Sequence, residues 1–234
     1  MKILITGGAG CLGSNLIERL LPQGHEILVV DNFATGRREV VPDVAGLKVV
    51  EGTIADSSLV DKVFAEFQPD YVIHSAAAYK DLTDWTEDTH TNVIGTINVV
   101  NAAKAHNVRR FINFQTALCY GRPAVVPIPA DAPTAPFTSY GISKTAGEQY
   151  LAMSGLSYVS LRLAIGPIPT FYTRLKDGKS CFCSDTVRDF LDMSDFFDLM
   201  DLVLQDDAPT GVYNVSTGEG HTIKDIFDAV VAHL

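Results

Sequence analysis

The chain has 234 residues, of which 47% are hydrophobic and 20% charged, a globular balance that excludes a disordered polymer. Its formal net charge of −10 argues against a general nucleic-acid or anionic-membrane binder, since both need basic surface. No run is long and apolar enough to span a bilayer, and with the first strand starting at Lys2 no leader is expected ahead of the fold.

Lys2-Ile-Leu-Ile-Thr6 is an apolar, β-prone run that meets Gly7-x-x-Gly10-x-x-Gly13, and an amphipathic segment follows with Leu12, Leu16, Ile17, Leu20 and Leu21. Strand, glycine turn, helix is the order in which a diphosphate approaches bare backbone and rests against the positive end of a helix. A second apolar run closes at Val29-Val30. Asp31 ends it about 18 residues after Gly13, where a carboxylate can accept both hydroxyls of an adenine ribose. A glycine turn that merely packs is the competing reading, and the placing of Asp31 favours a dinucleotide over it. The same carboxylate repels the extra phosphate of NADP and so favours NAD, although Arg37 and Arg38 follow closely.

Further on, Leu47–Glu51 reads as a strand, 59–67 as a helix and Tyr71–His74 as a buried strand. Residues 85–107 form a long helical pattern with Val93, Ile94, Ile97, Val100 and Ala103 apolar, and 110–114 is the next strand. This alternation predicts a parallel sheet with helices on both faces and ligands at the carboxyl ends of the strands. Five prolines between Arg122 and Pro136 predict a loop, ended by Thr138-Ser139 as the N-cap of a helix running to about Ser154. Beyond Leu163 the alternation loosens. Residues 1–164 are expected as one domain and 165–234 as a smaller region over the carboxyl edge, with a helix at 199–204, a strand at 212–215 and a helix at 223–234. The four cysteines, Cys11, Cys119, Cys181 and Cys183, lack zinc-like spacing and are expected as reduced thiols of a cytoplasmic protein.

Tyr140-Gly-Ile-Ser-Lys144 lies near the start of the predicted helix, where a four-residue step puts phenol and ammonium on one face. The ammonium is expected to favour the phenolate, giving a base that takes a proton from a sugar or alcohol hydroxyl while hydride leaves for NAD⁺. Thr116, at a strand end, can hold the reacting oxygen; a turn-forming role is the alternative. His74 is read as a satisfied residue at the end of a buried strand.

TGGAGCLG, VVDNFATG, HSAAA, TNVIGTINV, FQTALCYG, YGISK, VRDFLDMSD and YNVSTGEG run through nearly the whole chain. As a set they resemble the extended short-chain dehydrogenase/reductases of the nucleotide-sugar epimerase/dehydratase group, most closely epimerase-like proteins of bacterial surface-polysaccharide (O-antigen) synthesis. The resemblance implies a Rossmann-type, doubly wound parallel sheet (an α/β fold) with a smaller C-terminal substrate-binding region. It implies NAD contacts from Gly7, Gly10, Cys11, Leu12, Asp31, Asn32, Thr35, Gly36, Ile54, Ala76, Ala77, Tyr79, Asn92, Tyr140 and Lys144. It also implies that Arg188 pairs with the diphosphate of a UDP-sugar; a surface ion pair with Asp185 or Asp189 is the alternative. Lys80 is a second candidate cation at the substrate mouth, beside Thr116 on the substrate oxygen. A homodimer built on the two long helices is implied by resemblance alone.

The chain departs from the group in places. Cys11 replaces a bulkier aromatic, and Thr53 stands where many relatives have an adenine-binding Asp. Leu161-Arg-Leu-Ala164 leads straight into Ile165-Gly-Pro167 instead of an Asn-x-x-Gly-Pro segment. The resemblance implies further residues there and beyond Leu234, lost from a shortened protein or missing from the chain as written. After Thr116 come Ala117 and Leu118, neither of which can move a proton; that disfavours water elimination and decarboxylation. Epimerisation of a UDP-hexose through a 4-keto sugar is the expected reaction. A dehydrogenase, reductase or dehydratase acting on a sugar nucleotide is the alternative, and a non-catalytic NAD-binding regulator the reading from another class.

Overall fold

The computed structural model describes residues 1–79, 81–164, 168–184 and 186–234. The candidate Lys80, the alternative partner Asp185 and the Ile165-Gly-Pro167 segment therefore lie outside the described residues. In β1 (Lys2–Thr6), Ile3 and Ile5 are buried on one face of the strand and Leu4 on the other. The glycine turn leads into α1 (Cys11–Leu20), whose Leu16, Ile17 and Leu20 are buried against the Ile3 face. β2 (Glu26–Asp31) and β3 (Leu47–Glu51) follow, then α2 (Ser57–Phe67), started by Asp56, whose carboxylate accepts the N–H groups of Ser58 and Leu59. β4 (Tyr71–His74) precedes one long helical stretch made of α3 (Trp85–Thr89), a π-helical segment (His90–Gly95) and α4 (Thr96–Ala105). Periodicity predicts an unbroken α-helix here. The wider turn ends at Gly95, which packs closely on Ile54: a Cβ there would lie 2.6 Å from the Ile54 Cγ1.

The second half continues with β5 (Arg110–Thr116), α5 (Ser139–Met153), β6 (Tyr158–Leu163), α6 (Ile168–Lys176), β7 (Val187–Arg188), α7 (Met193–Val203), β8 (Gly211–Val215), β9 (His221–Thr222) and α8 (Ile223–Ala232). As predicted, Thr138 caps α5, its hydroxyl accepting the Gly141 N–H at 3.1 Å. Seven strands form one parallel sheet in the order β3-β2-β1-β4-β5-β6-β8. One core lies on the α1 and α7 side, with Ile5, Ile17, Val29, Phe114, Phe196 and Met200; the other lies under α2 and α4, with Leu4, Val30, Phe64, Val72, Val99 and Phe111. Each such fully buried side chain contributes about 1.5–3 kcal/mol. The strand order reverses at β1, between β2 and β4, and opens the crevice in which doubly wound sheets bind ligands.

The division at residue 164 expected from the sequence runs through this sheet. β8 pairs with β6, and Arg110 binds the end of α7 to it by donating to the carbonyls of Val203, Asp206 and Ala208. α6, α8 and the short β7–β9 pair form the smaller unit, with Phe171 and Phe227 edge to face at 5.6 Å. Among the described residues no helix is long and apolar enough to cross a membrane.

Candidate active site

The residues singled out in the first half of the chain gather at the carboxyl ends of the strands. Gly7 leaves β1 with φ +70°, and a Cβ there would meet the backbone of Ala76 at 2.6 Å. Gly13 lets α1 close on the turn, since a Cβ would lie 2.5 Å from the Gly7 carbonyl oxygen. Gly10 is different: its backbone is extended, and the nearest atom to a Cβ is the Gly7 oxygen at 3.3 Å. The turn therefore presents bare backbone and the first N–H groups of α1, Cys11 and Leu12 among them, a cradle that fits a diphosphate.

Asp31 is 8% exposed at the end of β2. Its Oδ2 accepts the Ala9 N–H and its Oδ1 the Phe33 N–H, both at 2.8 Å, so the carboxylate ties the glycine turn to the next loop and keeps lone pairs for hydroxyl donors. In that loop Asn32 accepts the Ala34 N–H, Thr35 is exposed, and Gly36 passes so close to Ala9 that a Cβ would lie 2.8 Å from it. Ile54 is buried beyond β3, while Ala76 and Ala77 line the exit of β4 and Tyr79 is 57% exposed. Asn92 is fully engaged: its Nδ2 donates to the Ala78 carbonyl and the Ser143 hydroxyl, and its Oδ1 accepts the Ala78 N–H. Its side chain thus fixes the 76–79 loop against α5.

Thr116 ends β5 and caps the Ala117–Tyr120 turn, its Oγ1 accepting the Leu118 N–H at 3.2 Å. That turn abuts the start of α5, where a Cβ on Gly141 would lie 3.0 Å from the Leu118 carbonyl oxygen. Tyr140 is thereby set beside it, half-buried and edge-on to Tyr79 with ring centroids 6.2 Å apart. One turn later Lys144 is buried, and its backbone carbonyl accepts from Gln115 Nε2 at 2.9 Å.

The charge states differ from the sequence expectation. Burial pushes the Tyr140 phenol up to about 12, and Tyr79 and Asp88 push the same way. Burial pushes Lys144 down to about 8, opposed by Glu148. The chain's own groups therefore do not acidify the phenol: burial, Tyr79 and Asp88 all raise it, and Lys144 is not among the groups that act on it. Cys119 is pushed up to about 11 by burial and, fully buried, exposes no thiol to a substrate. His74 is the satisfied core residue expected: Nδ1 meets Thr6 Oγ1 at 2.8 Å, Nε2 meets Thr96 Oγ1 at 2.9 Å, and burial lowers its pKa to about 3.

Arg188 lies apart from these residues, on β7 in the smaller unit. It lines a cavity of about 690 Å³ together with Arg174, Ser180, Cys181 and Phe182. Asp189 is not its partner, since the Asp189 carboxylate accepts from Thr217 and the Gly218 N–H. Arg174 is a second cation in this cavity, and α6 carries no sequence motif that would mark it.

The chain matches known proteins over nearly its full length. A solved structure of the Bordetella bronchiseptica enzyme WbmG in complex with NAD and UDP is 68% identical with a TM-score of 0.93, over 99% of this chain and 77% of that one. WbmH of the same organism, in complex with NAD⁺, is 46% identical with a TM-score of 0.93, over 99% of this chain and 80% of that one. The UDP-glucose 4-epimerase of Corynebacterium glutamicum is 31% identical, over 97% of this chain and 79% of its own length. The family model described as the NAD dependent epimerase/dehydratase family matches residues 3–216, and the chain belongs to that family.

Proposed function

We propose that the chain epimerises a UDP-hexose at carbon 4, with NAD as its cofactor, through Tyr140, Lys144 and Thr116. The observation that carries this reading is the Tyr140–Lys144 step on α5, set beside the Thr116 turn at the carboxyl edge of a sheet whose glycine turn fits a diphosphate. When bound, NAD accepts a hydride from the sugar and later returns it. Tyr140 takes the proton of the carbon 4 hydroxyl; a phenol pushed up to about 12 is a strong base once ionised, and needs positive charge nearby to ionise. Lys144, at about 8, carries that charge at neutral pH. Thr116 keeps its O–H free to donate to the sugar oxygen, because its own hydrogen bond uses only a lone pair. Gly7, Gly10, Cys11, Leu12, Asp31, Asn32, Thr35 and Gly36 hold the dinucleotide in this reading, with Ile54, Ala76, Ala77, Tyr79 and Asn92 around it. Ala117 and Leu118 support epimerisation over water loss. Incubation with UDP-glucose and other UDP-hexoses is expected to yield the carbon 4 epimer by proton NMR with no lasting NADH absorbance. A lasting rise makes the protein a dehydrogenase; a 4-keto-6-deoxy product makes it a dehydratase.

Arg188 takes the UDP diphosphate, supported by its place beside Arg174 in the cavity. Arg188→Ala is expected to raise KM for the UDP-sugar roughly 10–100-fold with kcat nearly kept, the pattern of lost uniform binding. Steady-state kinetics with UDP titration calorimetry reads both.

A homodimer is supported by the apolar side chains that the long helices expose, Trp85, Ile94, Ile142, Tyr150 and Met153. A place in bacterial surface-polysaccharide synthesis in the cytoplasm is supported by the motifs and by the likeness to WbmG.

A further inference from the structure

Tyr140, Lys144 and Glu148 fall at successive four-residue steps along α5 and share one face. Glu148 is 4% exposed, and its carboxylate is held from three directions. Oε1 accepts from Arg162 Nη2 at 2.6 Å, and Oε2 accepts from Ser160 Oγ at 2.7 Å and Arg162 Nε at 3.3 Å. Arg162, on β6, passes the constraint on. Its Nη1 donates to the Tyr120 hydroxyl oxygen at 2.7 Å, and its guanidinium lies 4.8 Å from the centre of that ring. Tyr120 ends the turn that Thr116 caps, and its own hydroxyl donates to Asn214 Oδ1 at 2.7 Å. Asn214 Nδ2 donates in turn to the Ile128 carbonyl in the proline-rich loop. One chain of hydrogen bonds, buried around Glu148 and Arg162 and part-buried beyond Tyr120, thus joins α5, β6, β8, the Thr116 turn and that loop.

The cluster holds two cations and one anion: Lys144, Arg162 and Glu148. Burial works against the charge on Arg162, but the hydrogen bonds to Glu148 and Tyr120 outweigh it and hold the guanidinium above its ordinary pKa. Lys144 is therefore the group that gives up a proton if the carboxylate is lost. From the other elements, Lys144 faces His74 on β4, which is neutral; on its own helix stand Tyr140, a neutral phenol, and Glu148. Tyr79 and Asp88 act on Tyr140, and the Cys119 thiol lies against Arg162 and Glu148.

We propose that Glu148 and Arg162 are positioning residues of the proton-transfer site: Glu148 supplies the buried counter-charge one helical turn from Lys144, and Arg162 locks the turn bearing Thr116 against α5. This rests on the reading of Tyr140 and Lys144 as the proton-transfer pair. Glu148→Gln and Arg162→Gln break the same ion pair from opposite sides, and a pair that only holds the fold gives the same outcome from both. In protein labelled with ¹³Cε-lysine, with the Lys144 signal assigned by its loss in Lys144→Met, Glu148→Gln is expected to lower the Lys144 titration by about one pH unit. Arg162→Gln leaves it unchanged or raises it. The alkaline limb of the kcat–pH profile moves to lower pH in Glu148→Gln by the same amount, with turnover at pH 8 down roughly fivefold.

The double variant Glu148→Gln/Arg162→Gln leaves no uncompensated charge and serves if either single variant fails to fold; it too is expected to show the lowered titration. Lys144 titrating as in wild type in Glu148→Gln or the double variant, with both single variants merely less stable, overturns the proposal. The titration is read without turnover, so it stands or falls separately from the activity of Tyr140.

Discussion

Replacing Tyr140 by Phe is expected to lower kcat about 10²–10⁴-fold, or roughly 3–5 kcal/mol of barrier, while bound NAD and thermal stability stay near wild type. The substitution removes only a hydroxyl that donates to no described residue, so no internal hydrogen bond is lost, and the ring keeps its edge-on contact with Tyr79. The effect is large because the described groups on and beside the Thr116 turn offer no substitute. Cys119 is fully buried and exposes no thiol to a sugar, and Ala117 and Leu118 have no proton to move. His74 is locked between two threonines and neutral. Single-turnover measurement by proton NMR, with bound NAD quantified in the same sample, checks this outcome. Turnover above about a tenth of wild type would move proton transfer to another group.

How much of this site was legible in the sequence depends on whether a residue's role is local. The glycine turn, Asp31, the Thr138 cap and the Tyr140–Lys144 step are short-range patterns, and each falls at its predicted place. The π-helical segment leaves no mark in the sequence: no periodicity within 85–107 distinguishes it from an α-helix. The Glu148–Arg162 pair is equally silent, since a carboxylate on a helix and a guanidinium on a strand meet only once the sheet is built. The strand at 212–215 was legible as a strand but not as the seventh member of the sheet, because parallel pairing leaves no mark on the paired sequence. The phenol's pKa is hidden from the sequence for a related reason. Spacing announces an ammonium four residues on, whereas the burial that raises the phenol is a property of the finished fold.

The glycine turn allows the cofactor site to be separated from the fold beneath it. Gly7→Ala is expected to abolish NAD binding and to lower stability by roughly 2 kcal/mol or more, a fall in Tm of about 4–8 °C. Two costs combine there: φ is +70°, where a side chain is strained, and the new Cβ would lie 2.6 Å from backbone atoms of Ala76 that cannot swing aside. Gly10→Ala is expected to behave otherwise. Its φ of −78° suits any residue, and the Cβ meets only the Gly7 carbonyl oxygen, at 3.3 Å. Tm should therefore shift by no more than about 2 °C, since the strain is below 1 kcal/mol. The methyl group enters the space over the first N–H groups of α1, so NAD affinity should fall roughly a hundredfold or more, the loss of two good anion contacts. Thermal melts with and without NAD, beside fluorescence titration of the cofactor, distinguish the two variants. Wild-type NAD affinity in Gly10→Ala would mean that the diphosphate rests elsewhere, and the hydride-transfer reading of Tyr140 would lose its geometric support.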